Sequence, residues 1–187
     1  MNTRKMTVSM IVVLGLAVVS AGTISCHKSN SSPTKPTLYD SLGGTAMVND
    51  PANSGSKIET GYLGIRTVVD SAIFIIAADT AINGYFKVLL TEVGSGNLSG
   101  YQKLSANLSN FVAVATGAKD YTYTGLSMNA AHNPSTNPRI NGVVMSDDFD
   151  EFVKDVAASA TKNGVPSNLI TSLGNLLYSV ESQVINQ

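Results

Sequence analysis

One histidine stands out among the residues of this chain that could carry chemistry. His132 ends the segment YTGLSMNAAH, residues 123–132, and the other histidine of the chain, His27, lies near the amino terminus. A neutral imidazole can bind a metal ion through one nitrogen or transfer a proton near neutral pH. A lone histidine in a helical segment is more often a surface or a hydrogen-bonded core residue, so its neighbours must decide its role.

Other reactive arrangements have little support. With one histidine after residue 27, a Ser-His-Asp or Cys-His triad is not indicated. The glycines of segment 91–100 do not have phosphate-loop spacing and follow no predicted strand. The carboxylates at positions 147, 148, 150 and 151 lack the spacing and the glycine of a calcium loop, and a helix start explains them better. A single cysteine excludes a disulfide framework and a multi-thiolate metal site.

That cysteine lies at the end of an export signal. Residues 1–5 are cationic, and residues 6–21 form an apolar run that is too short for a stable membrane span. Thr23-Ile24-Ser25-Cys26 resembles a bacterial lipobox, which implies a signal peptide over 1–25 and lipidation of Cys26; an ordinary secretory signal with an incidental cysteine is the alternative. Residues 26–37 are rich in Ser, Asn, Pro, Thr and Lys and predict a flexible tether.

Composition indicates one compact domain after this tether, over residues 38–187. The chain has 187 residues, of which 43% are hydrophobic and 13% charged, and its net charge is −1. This balance offers no basic footprint for a nucleic acid. We therefore expect no nucleic-acid partner.

Helical periodicity dominates this domain. One apolar stripe runs from Tyr101 to Ala115, a second from Phe149 to Ala160 and a third from Leu169 to Val184. The apolar run from Val68 to Ala78 suits a buried strand or a buried helix, and we predict a helix because no second strand candidate can pair with it. The predicted fold class is all-α.

Acidic and helix-breaking residues set the ends of the last two helices. Residues 146–148, Ser-Asp-Asp, predict the start of the second stripe's helix, and Asn163-Gly164 predicts its end. Pro166 stands where the next helix can begin. We expect three long loops, over 49–60, 91–100 and 133–142.

Three blocks resemble the truncated haemoglobins, mostly those of group I. The pattern Y-T-G-x-x-M-x-x-x-H of residues 123–132 resembles the segment that carries their proximal haem ligand. Residues 38–44, LYDSLGG, resemble their opening L-Y-x-x-x-G-G, and residues 149–177 resemble their two closing helices. The resemblance implies a two-over-two helical sandwich with long inter-helix loops and a bound haem b.

The resemblance also implies a set of haem contacts. His132 matches the proximal iron ligand, and a haem iron needs one such imidazole from the protein. Apolar haem contacts fall on Phe86, Leu104, Leu108, Phe111, Val112, Met128, Val144, Phe149 and Phe152. Each of these apolar residues, taken singly, is more typical of a helix-bundle core than of a haem contact.

The distal side departs from the family pattern. The usual distal tyrosine falls on Ile73, and positions that often carry a polar side chain fall on Leu104 and Leu108. These three residues offer no hydrogen bond to bound O2. Asn107, Gln102, Tyr85 or Tyr101 would replace them only if the helix is rotated or a loop folds in.

The expected function is reversible binding of a diatomic gas, O2, NO or CO, by a lipid-anchored haem domain at the cell envelope. A second hypothesis is a haem enzyme that detoxifies NO or acts as a peroxidase with an external electron donor, but such an enzyme needs a placed polar group on the distal side. A third hypothesis is a helical envelope protein without haem, against which the retention of His132 in its motif argues.

Overall fold

The computed structural model describes residues 35–187, so Cys26, the signal segment and most of the predicted tether lie outside the described residues. Seven α-helices and one hairpin are found there. The elements are α1 Leu38–Ser41, β1 Met47–Asn49, β2 Lys57–Glu59, α2 Thr60–Ala78, α3 Lys87–Gly94, α4 Ser99–Thr116, α5 Met128–His132, α6 Ser146–Lys162 and α7 Ser167–Tyr178, with 3₁₀ turns at Asn83–Phe86 and Glu181–Gln183.

Four long helices pack as two pairs. α2 packs on α4, α6 packs on α7, and α2 also packs against α6, so that it lies in the centre. Although α2 is long and apolar enough to cross a membrane, its contacts with α4 and α6 are those of a core helix. Its β-branched residues are therefore explained by burial between two helices rather than by a strand.

The link between α2 and α6 includes a buried polar contact. Ser159 of α6 is fully buried, and its hydroxyl donates a hydrogen bond of 2.7 Å to the carbonyl oxygen of Val68 in α2. A small residue at the crossing lets the two helices approach closely, and the hydrogen bond satisfies its hydroxyl group.

The turn after α1 requires glycine. Gly43 has φ +125°, and an added Cβ atom would lie 2.8 Å from Cγ2 of Thr60. Gly44 has φ +59° and accepts a hydrogen bond from the backbone N–H of Gly61 at the start of α2. The Gly-Gly pair therefore lets α1 fold back onto the first turn of α2, where the ring of Tyr39 is buried.

Most predicted helices form, but two of the three predicted loops differ. Within the loop predicted over 49–60 the chain forms the antiparallel hairpin β1–β2, in which Val48 pairs with Ile58, so the irregular part is limited to residues 50–56. The loop predicted over 91–100 is wrong in its extent, because α3 continues to Gly94 and α4 begins at Ser99.

α6 begins at Ser146, as predicted, and the side chain of Asp148 accepts a hydrogen bond of 2.9 Å from the backbone N–H of Met145.

Candidate functional site

A cavity of about 110 Å³ lies beside the short helix α5. Its wall comes from the 3₁₀ turn after α2, from α4, from α5 and its following loop, from α6, and from α7 with the carboxyl-terminal residues. The lining residues are Ile82, Tyr85, Phe86, Leu108, Phe111, Met128, His132, Ile140, Val144, Asp148, Phe149, Phe152, Leu177, Val180 and Val184. Twelve of these fifteen side chains are apolar, so the cavity suits an apolar ligand.

Local hydrogen bonds orient His132 in this wall. The hydroxyl of Ser127 accepts the backbone N–H of Ala130 and caps α5, and His132 is the last residue of that helix. Nδ1 of His132 lies 2.8 Å from the carbonyl oxygen of Met128. A carbonyl can only accept, so this contact assigns the proton to Nδ1 and leaves the lone pair on Nε2.

Burial keeps this imidazole neutral. His132 is half-buried, and its loss of hydration lowers its pKa below the usual value, although the Met128 carbonyl opposes the shift. Within residues 35–187 Nε2 has no hydrogen-bond partner. A neutral imidazole with a fixed Nδ1 proton and a free Nε2 is the form in which histidine binds a metal.

The loop after α5 closes one side of the cavity. The amide of Asn137 donates to the carbonyl oxygen of Ala131 at 2.7 Å, which holds the loop against α5. Further along, the backbone N–H of Asn141 donates to the carbonyl oxygen of Tyr85 at 3.0 Å. Ile140, between these two contacts, is thereby placed in the wall, where it is 9% exposed.

Besides His132, the wall contains two polar side chains, and they bind each other. The hydroxyl of Tyr85 donates to a carboxylate oxygen of Asp148 at 2.6 Å. This bond to a carboxylate, helped by burial, raises the pKa of Tyr85 to about 12. The same carboxylate oxygen accepts the backbone N–H of Met145. The Tyr85 hydroxyl therefore donates its proton to a residue of the wall and not to a ligand in the cavity.

Most residues implied by the family resemblance lie in this one wall. Eight of the ten haem contacts line the cavity, namely Phe86, Leu108, Phe111, Met128, His132, Val144, Phe149 and Phe152. Leu104 and Val112 do not, nor does Ile73. These three belong to a second apolar cluster between α2 and α4, which also contains Tyr39 and Val69. Leu108 and Phe111 of α4 reach both this cluster and the cavity, whereas Val112 belongs to the cluster alone.

Three of the four alternative polar residues also lie outside the cavity wall, whereas Tyr85 lines it with its hydroxyl bound to Asp148. Asn107 and Gln102 do not line it, and the ring of Tyr101 packs at 5.7 Å from that of Phe74. Ile82, Asp148 and the residues after α7 line the cavity without having been predicted. The apolar stripe of α7 was a signal for Leu177 and Val184, whereas Ile82 has no periodic context that would have indicated it.

A larger cavity of about 320 Å³ adjoins the first one. It lies between α2, α4, α6 and α7, and the two cavities share Leu108, Phe152 and Leu177 in their walls. Side-chain movement of these three residues would join the two spaces.

Solved structures of truncated haemoglobins have a similar arrangement of helices. The truncated hemoglobin of Tetrahymena pyriformis in its Fe(III) form has a TM-score of 0.59 and 16% identity, covering 81% of this chain and 100% of that chain. The 2/2 hemoglobin of Synechococcus sp. PCC 7002, in the cyanomet state with covalently attached heme, has a TM-score of 0.56 and 20% identity with the same coverage. No family model and no curated protein matches the sequence. The chain has the two-over-two truncated globin fold, and the all-α prediction is confirmed.

Proposed function

We propose that this protein binds one haem b through His132 and that the haem reversibly binds a diatomic gas. The observation that carries the proposal is the state of His132. Its Nδ1 proton is held by the Met128 carbonyl, its Nε2 atom has no hydrogen-bond partner among residues 35–187, and it lies in an apolar wall. Proteins named as truncated hemoglobins share this fold, which supports the same use of the cavity.

The donor set and the walls fit a haem, but the cavity must enlarge to take one. Ligand pockets commonly measure about 300–1,000 Å³, and this cavity measures about 110 Å³. Its apolar side chains Leu108 of α4 and Phe152 of α6 are half-buried and also line the adjoining cavity, so they have room to move toward it. His132 would hold the iron, and Phe86, Met128, Val144 and Phe149 would pack on the porphyrin.

A bound haem would supply an iron that can bind O2, NO or CO. The chain's own residues favour binding over catalysis. Tyr85 already donates to Asp148, and Leu108 and Phe111 are apolar, so the described wall presents no free donor to a bound ligand. Acid–base help at a bound oxygen requires such a donor. We therefore favour a gas-binding protein over a peroxidase or an NO-detoxifying enzyme with an external electron donor.

Replacing His132 tests the proposed ligand. The ferrous wild type reconstituted with haem should show a five-coordinate, imidazole-ligated absorption spectrum with one haem per chain. His132→Ala should lose that spectrum, and added imidazole should restore part of it. His27→Ala, which changes the other histidine, serves as the matched control and should behave as the wild type. An unchanged imidazole-ligated spectrum in His132→Ala would contradict the proposal.

We further propose that the mature protein is held at the cell envelope by a lipid on Cys26. The support is the sequence Thr23-Ile24-Ser25-Cys26 and the polar tether that follows it. Growth with a labelled fatty acid should label the wild type and leave Cys26→Ser unlabelled. A wild type that takes up no label would exclude the anchor, whereas haem binding by the globin domain would be unaffected by that result.

A further inference from the structure

Three carboxylates converge at the carboxyl end of α2, and none of them lines the His132 cavity. Asp79 directly follows α2, and Glu151 and Asp155 lie one turn apart on α6. One oxygen atom from each side chain lies within 4.8 Å of the other two. Like charges at such separations repel one another, so the arrangement requires a proton or a cation to compensate it.

Two of these side chains carry buried oxygen atoms without a partner. Asp155 is only 8% exposed, its Oδ2 atom is fully buried, and neither of its carboxylate oxygens accepts a hydrogen bond from residues 35–187. Oδ2 of Asp79 is likewise buried and unpartnered, although Oδ1 accepts the backbone N–H of Ala81 at 2.9 Å. Burying an unpaired carboxylate is costly. These atoms therefore point to a ligand that the side chains of the described region do not supply.

No basic side chain compensates the two aspartates within the described region. Its salt bridges join Arg66 to Asp50, Arg139 to Glu92 and Lys154 to Glu151. The last of these engages Oε2 of Glu151 from the exposed face of α6. Burial, followed by the charges of Asp79 and Glu151, raises the pKa of Asp155. The interior face of the cluster thus lacks a positive charge.

We propose that Asp79, Glu151 and Asp155 form a calcium-binding site. Three atoms no more than 4.8 Å apart all lie within about 2.8 Å of a common point, and calcium–oxygen distances are about 2.3–2.6 Å. Movements of a few tenths of an ångström are enough to complete the contacts. The ligands are oxygen atoms only, which excludes a preference for zinc or copper. Magnesium needs near-ideal octahedral geometry at about 2.0–2.1 Å and usually keeps several waters, whereas calcium accepts irregular sets of carboxylate oxygens, so three partly buried carboxylates favour calcium.

A calcium ion at this place would join the end of α2 to the middle of α6. Phe152 follows Glu151 directly, and Ile82 lies three residues after Asp79; both residues line the His132 cavity. The ion would thus fix two elements of the cavity wall. The site itself requires no haem, so it can be tested on the protein without haem, and failure of one proposal leaves the other standing.

Calorimetric titration and thermal unfolding of the haem-free protein test the site. At constant ionic strength, calcium chloride should bind one ion per chain with a dissociation constant on the order of 10⁻⁴–10⁻³ M. It should also raise Tm relative to EDTA, because a ligand that binds only the folded state stabilises it. Magnesium chloride at the same concentration should have at most a small effect.

Asp155→Asn should abolish both the heat of binding and the rise in Tm, and in EDTA it should be at least as stable as the wild type because the repulsion is gone. Asp147→Asn is the matched control, since it removes an exposed carboxylate from the same helix and should keep the calcium response. Asp79→Asn gives a second variant, because its Oδ1 can still accept the Ala81 N–H. A wild type without calcium binding would overturn the proposal and assign the compensating charge to a proton shared between the aspartates. A calcium response that survives in both Asp155→Asn and Asp79→Asn would overturn it as well.

Discussion

A hydrogen-bond donor introduced at Leu108 should slow the release of O2 from the haem-loaded protein. Leu108 lines the His132 cavity, and the wall of residues 35–187 presents no free donor there because the Tyr85 hydroxyl is bound to Asp148. In Leu108→Gln the side-chain amide would donate to bound O2, which carries partial negative charge. Hydrogen bonds contribute about 1 kcal/mol between neutral groups and about 1.5–3 kcal/mol with a charged partner.

Each 1.4 kcal/mol corresponds to about a tenfold change in rate, so we expect O2 release to slow by roughly ten- to a hundredfold. CO is less polarised, and its release should change much less. The assay is stopped-flow displacement of O2 by CO from the ferrous protein. The matched control is Leu104→Gln, one helical turn earlier on α4, which places the same amide outside the cavity wall.

The wild type should release O2 quickly, and Leu104→Gln should release it at the wild-type rate. Slow release in the wild type, unaffected by Leu108→Gln, would show that another donor enters the pocket. An effect of Leu104→Gln that is larger than that of Leu108→Gln would show that the assigned rotation of α4 is wrong.

Two further predictions concern the fold. Ser159→Ala should lower the free energy of unfolding, measured by urea titration, by about 1 kcal/mol, because it removes the buried hydrogen bond to the Val68 carbonyl. The control Ser172→Ala, at an exposed position, should change the free energy of unfolding by less than about 0.5 kcal/mol. Equal effects of the two substitutions would refute the reasoning. Asp50→Asn should lower Tm at pH 7, since hydrogen bonds from Arg66, and then from Asn53 and Ala52, hold the pKa of Asp50 well below its usual 3.8. The stabilisation by the Asp50 carboxylate is present above pH 3.8 and is lost as the pH falls below that value. The Tm values of the variant and the wild type should therefore converge in acid. A Tm difference that stays constant as the pH falls would contradict this prediction.

The sequence predicts long helices well here because their apolar residues repeat with the helical period. α4, α6 and α7 cover the predicted stripes, apart from the last residues of the third, Val180 and Val184, which flank a 3₁₀ turn. The residue types of the run from Val68 to Ala78 suited a buried strand as well as a buried helix. In the structure this run belongs to a helix that packs against α4 and α6. The hairpin was missed because its strands have three residues each and show no extended alternation.

The sequence predicted those site residues whose positions are fixed by a short motif. His132 and Met128 lie together in the cavity wall, as the motif implies. The distal residues were harder to predict, because a sequence does not give the rotation of a helix about its axis. Leu104 and Leu108 share one stripe, yet only Leu108 reaches the cavity. Ile140 was missed because tertiary hydrogen bonds of an irregular loop place it.

Resonance Raman spectroscopy of the ferrous haem-loaded protein tests the ligation by His132 most directly. The iron–histidine stretching band should shift when the protein is made with ¹⁵N-labelled histidine. The band and its isotope shift should persist in His27→Ala, which leaves His132 as the only histidine of the chain. Absence of an isotope-sensitive band in the wild type, or its loss in His27→Ala, would contradict the account.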